Sequence, residues 1–465
     1  MNIIDEKQIN LALEGNKDTS DDKIKEILKK ALKLKGLGIN DAASLLNADS
    51  KNKTLMKELF STAFQIKNAI YGNRLVLFAP LYISNYCSND CLYCGFRRSN
   101  KEMKRKILTE NEIRKEVEIL EKHGHKRILM LMGEHFERYS FDDFLKAIKT
   151  AYSVKTKPRG EIRRINVEIP PLNIEQFKRL KKAGIGTYTM FQETYHKETY
   201  KKMHPSGKKS DYHHRLETMD RAQKAGIDDV GIGVLFGLYD YRFEVLALLM
   251  HAQHLDRTFD TGPHTISIPR IEPAQNAPIA NKPPYPVSDE DFKKLVAVIR
   301  CSVPYTGMIL STRESSKMRK ELFYLGVSQI SAGSKASPGG YGGAKTNSGN
   351  AEQFALSDTR PASAVIKGMM EHGFFPSFCT SCYRLGRTGK DFMDLAKPGL
   401  IQNFCQPNAL LTLQEYLEDY ADEESKKIGE KLIIKEASKI KNKKIKDSFL
   451  KRLGRIKNGE RVLYI

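Results

Sequence analysis

The chain has no apolar run approaching the roughly eighteen residues that a membrane-spanning helix needs. Its start, MNIIDEKQINLALEGNK, lacks the basic, apolar and small-residue sections of a signal peptide, so we expect a cytoplasmic protein with no membrane partner. Cysteine is scarce and odd in number, seven in 465 residues. A reducing compartment and an odd count both argue against a disulfide framework and leave metal ligation as the better use of clustered thiols. The glycine-rich PGGYGG at 338–343 lacks the Lys-Ser/Thr ending of a phosphate loop, and is expected to be a flexible connection. Acids are outnumbered 56 to 77 by lysine and arginine, a formal charge of +21. The lysines are spread along helical segments and mixed with acids, which predicts solvated helix faces, or docking of an acidic protein, rather than nucleic-acid binding.

Apolar residues make up 40% of the chain, enough for a full core. Residues 1–70 read as a helical N-terminal extension, ending in SKNKTLMKELFSTAFQIKNAIYG with apolar positions at helical spacing. From residue 75 the rhythm changes. LVLFAPLYIS, RILMLMG, RRINVEIP, TYTMFQ, DVGIGVLFG, HTISIPR, TGMILS and VSQISAG read as short strands, each followed by an amphipathic stretch or a turn. Thr109 and Glu112 form a predicted capping box ahead of one of these helices. Eight such units predict an α/β fold, a complete (β/α)8 TIM-type barrel over 71–340, with its chemistry on the loops after the strands. Residues 341–465 are expected to be a helical C-terminal domain.

The cysteines fall into two triplets and a remainder. Cys87, Cys91 and Cys94 have C-x3-C-x2-C spacing in the loop after the first strand. Cys379, Cys382 and Cys405 have C-x2-C-x22-C spacing near the end of the chain. Three thiolates can hold a four-iron cluster and leave one iron open for chemistry, whereas structural zinc prefers four ligands. For the second triplet, zinc with a distant histidine is favoured on spacing alone. Cys301 lies on an amphipathic helix and is given no role.

The first triplet, with Tyr93 directly before its last cysteine, resembles the signature of the radical S-adenosylmethionine (SAM) enzymes. That resemblance implies a 4Fe-4S cluster whose open iron chelates SAM and whose electron cleaves it to a 5′-deoxyadenosyl radical. Met132, Gly133 and Glu134 resemble the GGE-type turn that contacts the SAM amino group, with methionine in place of the first glycine. Glu193 and Arg215 are further SAM-contact candidates, and Gly231, Gly233 and Gly237 would let adenine approach the backbone.

With PSFCTSCYRLGRTG and the terminal spacing added, the chain resembles the tyrosine-lyase maturases of FeFe-hydrogenase assembly from about residue 70 to 405. This implies cleavage of L-tyrosine at Cα–Cβ to a cresol and dehydroglycine, and conversion of the fragment to carbon monoxide and cyanide on iron. It also implies an auxiliary 4Fe-4S-type cluster with an additional iron, held partly by His264 and by a free L-cysteine. Arg313, with Ser311 and Thr312, and Arg270 are the candidates for the substrate carboxylate. The partners implied are the E and F maturases and an electron donor such as ferredoxin or flavodoxin. Two sites so placed imply an internal passage through the barrel. The alternatives are a tyrosine lyase feeding thiazole synthesis, another radical SAM enzyme, and a non-catalytic iron–sulfur scaffold.

Overall fold

The computed structural model describes residues 3–342 and 351–465. Eight parallel strands close into a barrel: β1 Arg74–Ser84, β2 Arg127–Met132, β3 Arg164–Glu168, β4 Tyr188–Thr189, β5 Val230–Gly233, β6 Thr265–Ser267, β7 Gly307–Leu310 and β8 Gln329–Ser331. Each pairs with the next, and β1 closes the ring by pairing with both β2 and β8. All eight expected strands are present, and the Thr109–Glu112 capping box forms as expected at the start of the helix Glu110–Lys122.

Alternation along each strand sorts side chains into two layers. Leu75, Leu77, Ala79, Leu81 and Ile83 of β1 point outward into the main hydrophobic core against the surrounding helices, as do Ile128, Met130 and Met132 of β2. The inward positions are unlike those of an ordinary barrel, whose lumen is filled with branched apolar residues. Asn166, Thr189, Ser267 and Ser331 line the upper part, and Asp229, Gly307 and Gln329 the lower. Gly231 lies between them: a Cβ there would come within 2.4 Å of Thr265 Oγ1 and 3.0 Å of Thr189 Oγ1. Phe78, Leu129, Leu131 and Ile309 also line the upper cavity and Val76 the lower, so the lumen mixes apolar with small and polar groups and keeps a cavity toward each mouth.

Two expectations are corrected. The segment DYHHRLETMDRAQKAG forms two short helices, Tyr212–Leu216 and Thr218–Lys224, rather than one. The C-terminal part is not purely helical, because a ninth strand, β9 Phe375–Ser377, adds to the sheet. β2 pairs with β1 only from Ala79 onward, so the first residues of β1 keep a free edge, and β9 occupies it with Arg74 opposite Phe375 and Val76 opposite Ser377. This pairing carries Cys379 to the N-terminal mouth of the barrel. Of the glycine-rich connection, residues 343–350 lie outside the described residues. The part before them is docked: the Tyr341 hydroxyl donates to Pro80 O at 2.7 Å, and the amides of Tyr341 and Gly342 donate to the Glu116 carboxylate. No helix of the described residues is long and apolar enough to cross a membrane.

Candidate functional site

The loop after β1 is folded over the C-terminal mouth by its own polar groups. Asn85 accepts from the Lys106 amide, and Arg105 donates to the carbonyls of Asn85, Phe96 and Arg97. Cys87, Cys91 and Cys94 are thereby held among buried neighbours, and burial pushes their thiols up to about 11, 12 and 11. Buried thiols with so little to stabilise their anions fit a positively charged polynuclear group that would take them as thiolates. Among the described residues no three Cys, His, Asp or Glu side chains are drawn together closely enough to hold a single ion.

The end of β2 touches this loop directly. Glu134 O accepts from the Ser88 amide and hydroxyl, and Glu134 Oε2 accepts from Asn89 Nδ2 at 2.6 Å. Its other oxygen pairs with Arg215 Nη1 at 2.7 Å, while Lys209 Nζ pairs with Glu193 Oε1 at 2.6 Å. Burial opposes the Glu134 anion, but Arg215 and Lys209 overcome it and hold the carboxyl below its usual range. Glu134, Glu193, Arg215 and the triplet are therefore in one constellation. At Gly133 a Cβ would lie 2.3 Å from Tyr86 O, so only glycine lets the turn approach the cysteine loop. The Tyr93 hydroxyl is 2.7 Å from His204 Nε2. The Met132 side chain points outward into the helix-packed core, which leaves its backbone for the GGE-like turn. Gly231 and Gly233 leave room for Thr265 and for the Phe191 ring, and Gly237 takes φ +117° in a turn; these three glycines serve packing and turn geometry of the chain itself.

Below the triplet lies a cavity lined by Cys94, Glu168, Glu193, Ser311, Thr312 and Arg313 among others. Arg313 is half-buried, its guanidinium stacks 3.3 Å from the Phe354 ring centroid, and among the described residues it pairs with no carboxylate. Arg270 behaves otherwise and is corrected as a substrate ligand. Its Nε donates to Glu314 at 2.8 Å and its Nη1 to Asp289 at 2.9 Å, and it does not line the cavity. The sequence reading missed Glu168, whose carboxyl is pushed up to about 7, first by burial and then by the charge of Glu193. Alternation along NVEIP was the available signal. It also missed Lys209, Lys335, Gln353 and Phe354; the last two follow the glycine-rich stretch, and nothing local marks them. Gln353 Nε2 points to Cys94 Sγ at 3.7 Å, so the barrel mouth extends beyond the expected boundary at residue 340.

At the opposite mouth a second cavity is lined by Cys379, Cys382, Cys405 and His264, with Arg74, Arg127, Arg387 and Asp229. Cys379 Sγ lies 3.1 Å from Ser381 Oγ, which in turn accepts from Asn408 at 3.2 Å. A hydrogen bond from Cys382, and then Arg74, Arg387 and Arg127, hold the Cys405 thiol below its usual value. Burial pushes the His264 imidazole down, and its Nδ1 lies 3.4 Å from Asp229 Oδ1. A neutral imidazole and a thiol favoured as its anion are suitable donors for iron. Cys301 is fully buried in the core. The two cavities lie close along the axis: β1 gives Phe78 to the upper and Val76 to the lower, and β8 gives Ser331 and Gln329. Two residues of strand are about 7 Å.

Residues 81–250 match the model of the radical SAM superfamily, and 267–375 match the biotin and thiamin synthesis associated domain. The chain is 33% identical to the 2-iminoacetate synthase of Salmonella typhimurium over 353 residues, which covers 75% of this chain and 89% of that one. A solved structure described as HydG, a maturase of the [FeFe]-hydrogenase, superposes with TM-score 0.96 at 52% identity over 100% of both chains. HydG from Carboxydothermus hydrogenoformans superposes with TM-score 0.83 at 39% identity, covering 96% of this chain and 97% of that one.

Proposed function

As this chain belongs to the radical SAM family of 2-iminoacetate synthase and the hydrogenase maturase HydG, we propose that it is a tyrosine lyase with two iron–sulfur sites. It cleaves the Cα–Cβ bond of L-tyrosine to p-cresol and dehydroglycine, and turns the fragment into carbon monoxide and cyanide on iron for the active-site cluster of an FeFe-hydrogenase. The observation that carries the second half is the lower cavity, where Cys379, Cys382, Cys405 and His264 face one space. A lyase feeding thiazole synthesis has no use for it, and the synthase alignment leaves a quarter of the chain unmatched whereas the maturase structure spans all of it.

Cys87, Cys91 and Cys94 would hold the upper cluster, and Cys379, Cys382, Cys405 and His264 the lower one with its additional iron and free L-cysteine. When bound, the upper cluster supplies the electron that cleaves SAM to its adenosyl radical, and the lower supplies the iron that carries the product. The chain's own groups bind and orient. Tyr93, Gly133, Glu134 and the backbone of Met132 line the SAM position, with Glu193 and Arg215 fixed beside them by ion pairs. Arg313 offers a bidentate fork to the tyrosine carboxylate, and Ser311 and Thr312 add hydrogen bonds. Arg313 is preferred over Arg270 because its guanidinium faces the cavity without a carboxylate partner. The cavity toward each mouth supports a passage for the fragment between the two sites. The E and F maturases and a ferredoxin or flavodoxin complete the expected set of partners.

The test is an isotope-edited infrared spectrum of the anaerobically reconstituted protein, reduced with SAM and carbon-13-labelled tyrosine. Label-shifted bands of iron-bound carbon monoxide and cyanide are expected. p-Cresol without those bands would reduce the function to the thiazole-type lyase, and no p-cresol would refute the reading.

A further inference from the structure

Arginines open the first three strands. Arg74, Arg127 and Arg164 are the first residues of β1, β2 and β3, and Arg127 and Arg164 are register partners. All three sit at the N-terminal mouth. Arg164 stacks on Tyr383, with its Cζ 3.2 Å from the ring centroid, and stands behind the cavity wall. Arg74 and Arg127 line the cavity itself, and Arg387 from the C-terminal part completes a third side.

These side chains are costly where they are. Arg74 and Arg127 are each only 6% exposed, yet among the described residues neither pairs with a carboxylate, and the Nε of each has no hydrogen-bond partner. Arg127 spends one Nη2 hydrogen on Cys379 O at 3.1 Å, and Arg387 leaves Nε and Nη2 without partners. The acid that lines the same space, Asp229, is turned to His264 and to the Gly389 amide. Buried guanidinium groups are normally paired, because an unpaired charge or donor bears its full desolvation cost. Here three converge on one cavity whose one lining carboxylate, Asp229, turns Oδ1 to His264 and Gly389, leaves Oδ2 without a partner and pairs with none of the three.

We propose that Arg74, Arg127 and Arg387 form an anion subsite beside the C-terminal cysteines that takes the carboxylate of a small α-amino or α-imino acid. The inference rests on the lyase reading above for its ligand. The two sources of that chemistry are the fragment released from tyrosine and the free amino acid expected on the additional iron. Gripping the carboxylate by guanidinium forks would hold the acid in the same cavity that Cys405 and His264 line.

The experiment uses reconstituted protein with SAM and tyrosine bound and no reductant, so that Arg313 is already occupied. Carbon-13 glyoxylate, the product of water on dehydroglycine, is titrated in and followed by NMR, with its neutral amide as control. Saturable binding of glyoxylate but not of the amide is expected. Arg127→Gln should weaken it by at least about tenfold and Arg127→Lys should keep most of it, as a charge-assisted hydrogen bond requires. Equal behaviour of acid and amide, or no saturable binding, overturns the proposal. Loss of iron from the glutamine variant together with no anion preference in the parent protein would mean that the arginines only balance the charge of a cluster, and also overturns it. Competition by L-cysteine assigns the subsite to amino-acid carboxylates generally, and its absence confines the subsite to the tyrosine fragment. p-Cresol assayed on a portion of the same preparation after a reductant is added separates the two readings: its absence refutes the lyase while the titration still decides the subsite.

Discussion

The two mouths of the barrel hold the same kind of ligand set and treat charge in opposite ways. At the C-terminal mouth the charges around the cysteine loop are paired, Glu134 with Arg215 and Glu193 with Lys209, Arg313 standing apart across the cavity, and the three thiols are pushed up by burial. At the N-terminal mouth, arginines face the cysteines without carboxylate partners among the described residues; Cys379 and Cys382 are raised as the upper thiols are, and a hydrogen bond from Cys382, then the arginines, hold only Cys405 down. The difference teaches that a closed network fixes side chains in place for a cofactor, while an unbalanced one leaves its charge for whatever enters.

The largest effect should come from breaking one mouth at a time. Cys91→Ala is expected to abolish p-cresol and iron-bound carbon monoxide together, by at least about 10³-fold. Cys382→Ala and His264→Ala should leave p-cresol within a few-fold and lower the iron-bound product by about 10- to 100-fold or more. Loss of p-cresol in the His264 variant, at full iron content in the upper site, would show that the two mouths are not separable. Smaller, and confined to the upper mouth, is the contrast between its two arginines. Arg313→Gln should raise the KM for tyrosine about 10- to 100-fold, since a charged hydrogen bond is worth about 1.5–3 kcal/mol. Arg270→Gln should leave KM alone but lower stability by about 3 kcal/mol by stranding the buried Glu314, which a denaturant titration would read. A KM effect in the Arg270 variant alone would reverse the assignment.

The smallest effect is a pH dependence in the same cavity. Glu168 has its carboxyl raised from 4.5 to about 7, so the folded state holds a proton that the unfolded chain would release. Its contribution is therefore fully present below about pH 4.5 and lost as pH rises through about 7, up to about 3 kcal/mol. Glu168→Gln should flatten that part of the stability profile, read as Tm from pH 5 to 8. Glu272, also raised to about 7 by burial, contributes a slope of the same sign that the variant keeps. An unchanged profile would mean that Glu168 is solvated at neutral pH.

The triplets, the eight strands and the capping box were legible because each rests on near neighbours: cysteines within eight residues, or apolar residues at period two. What was misread depended on distant contacts. LSTRES and IPRIEP look alike as arginines after strands, and only the approach of Glu314 and Asp289 commits Arg270. Strand alternation turns the Met132 side chain to the outer face, which the likeness to a GGE-type turn does not reveal. FFPSF carries a short apolar run, but whether it becomes a strand depends on the free edge of β1.

The residues alone pointed to the radical SAM family, since the number and spacing of the first three thiols follow from covalent order. Folding settled the geometry. Pairing of β9 with β1 brought Cys379 to the cavity that His264 lines, 115 positions earlier in the chain, and strand register brought Arg74 and Arg127 to the same mouth. Such encounters are set by the register and closure of a barrel, a property of all its strands at once, and no local stretch of sequence encodes them.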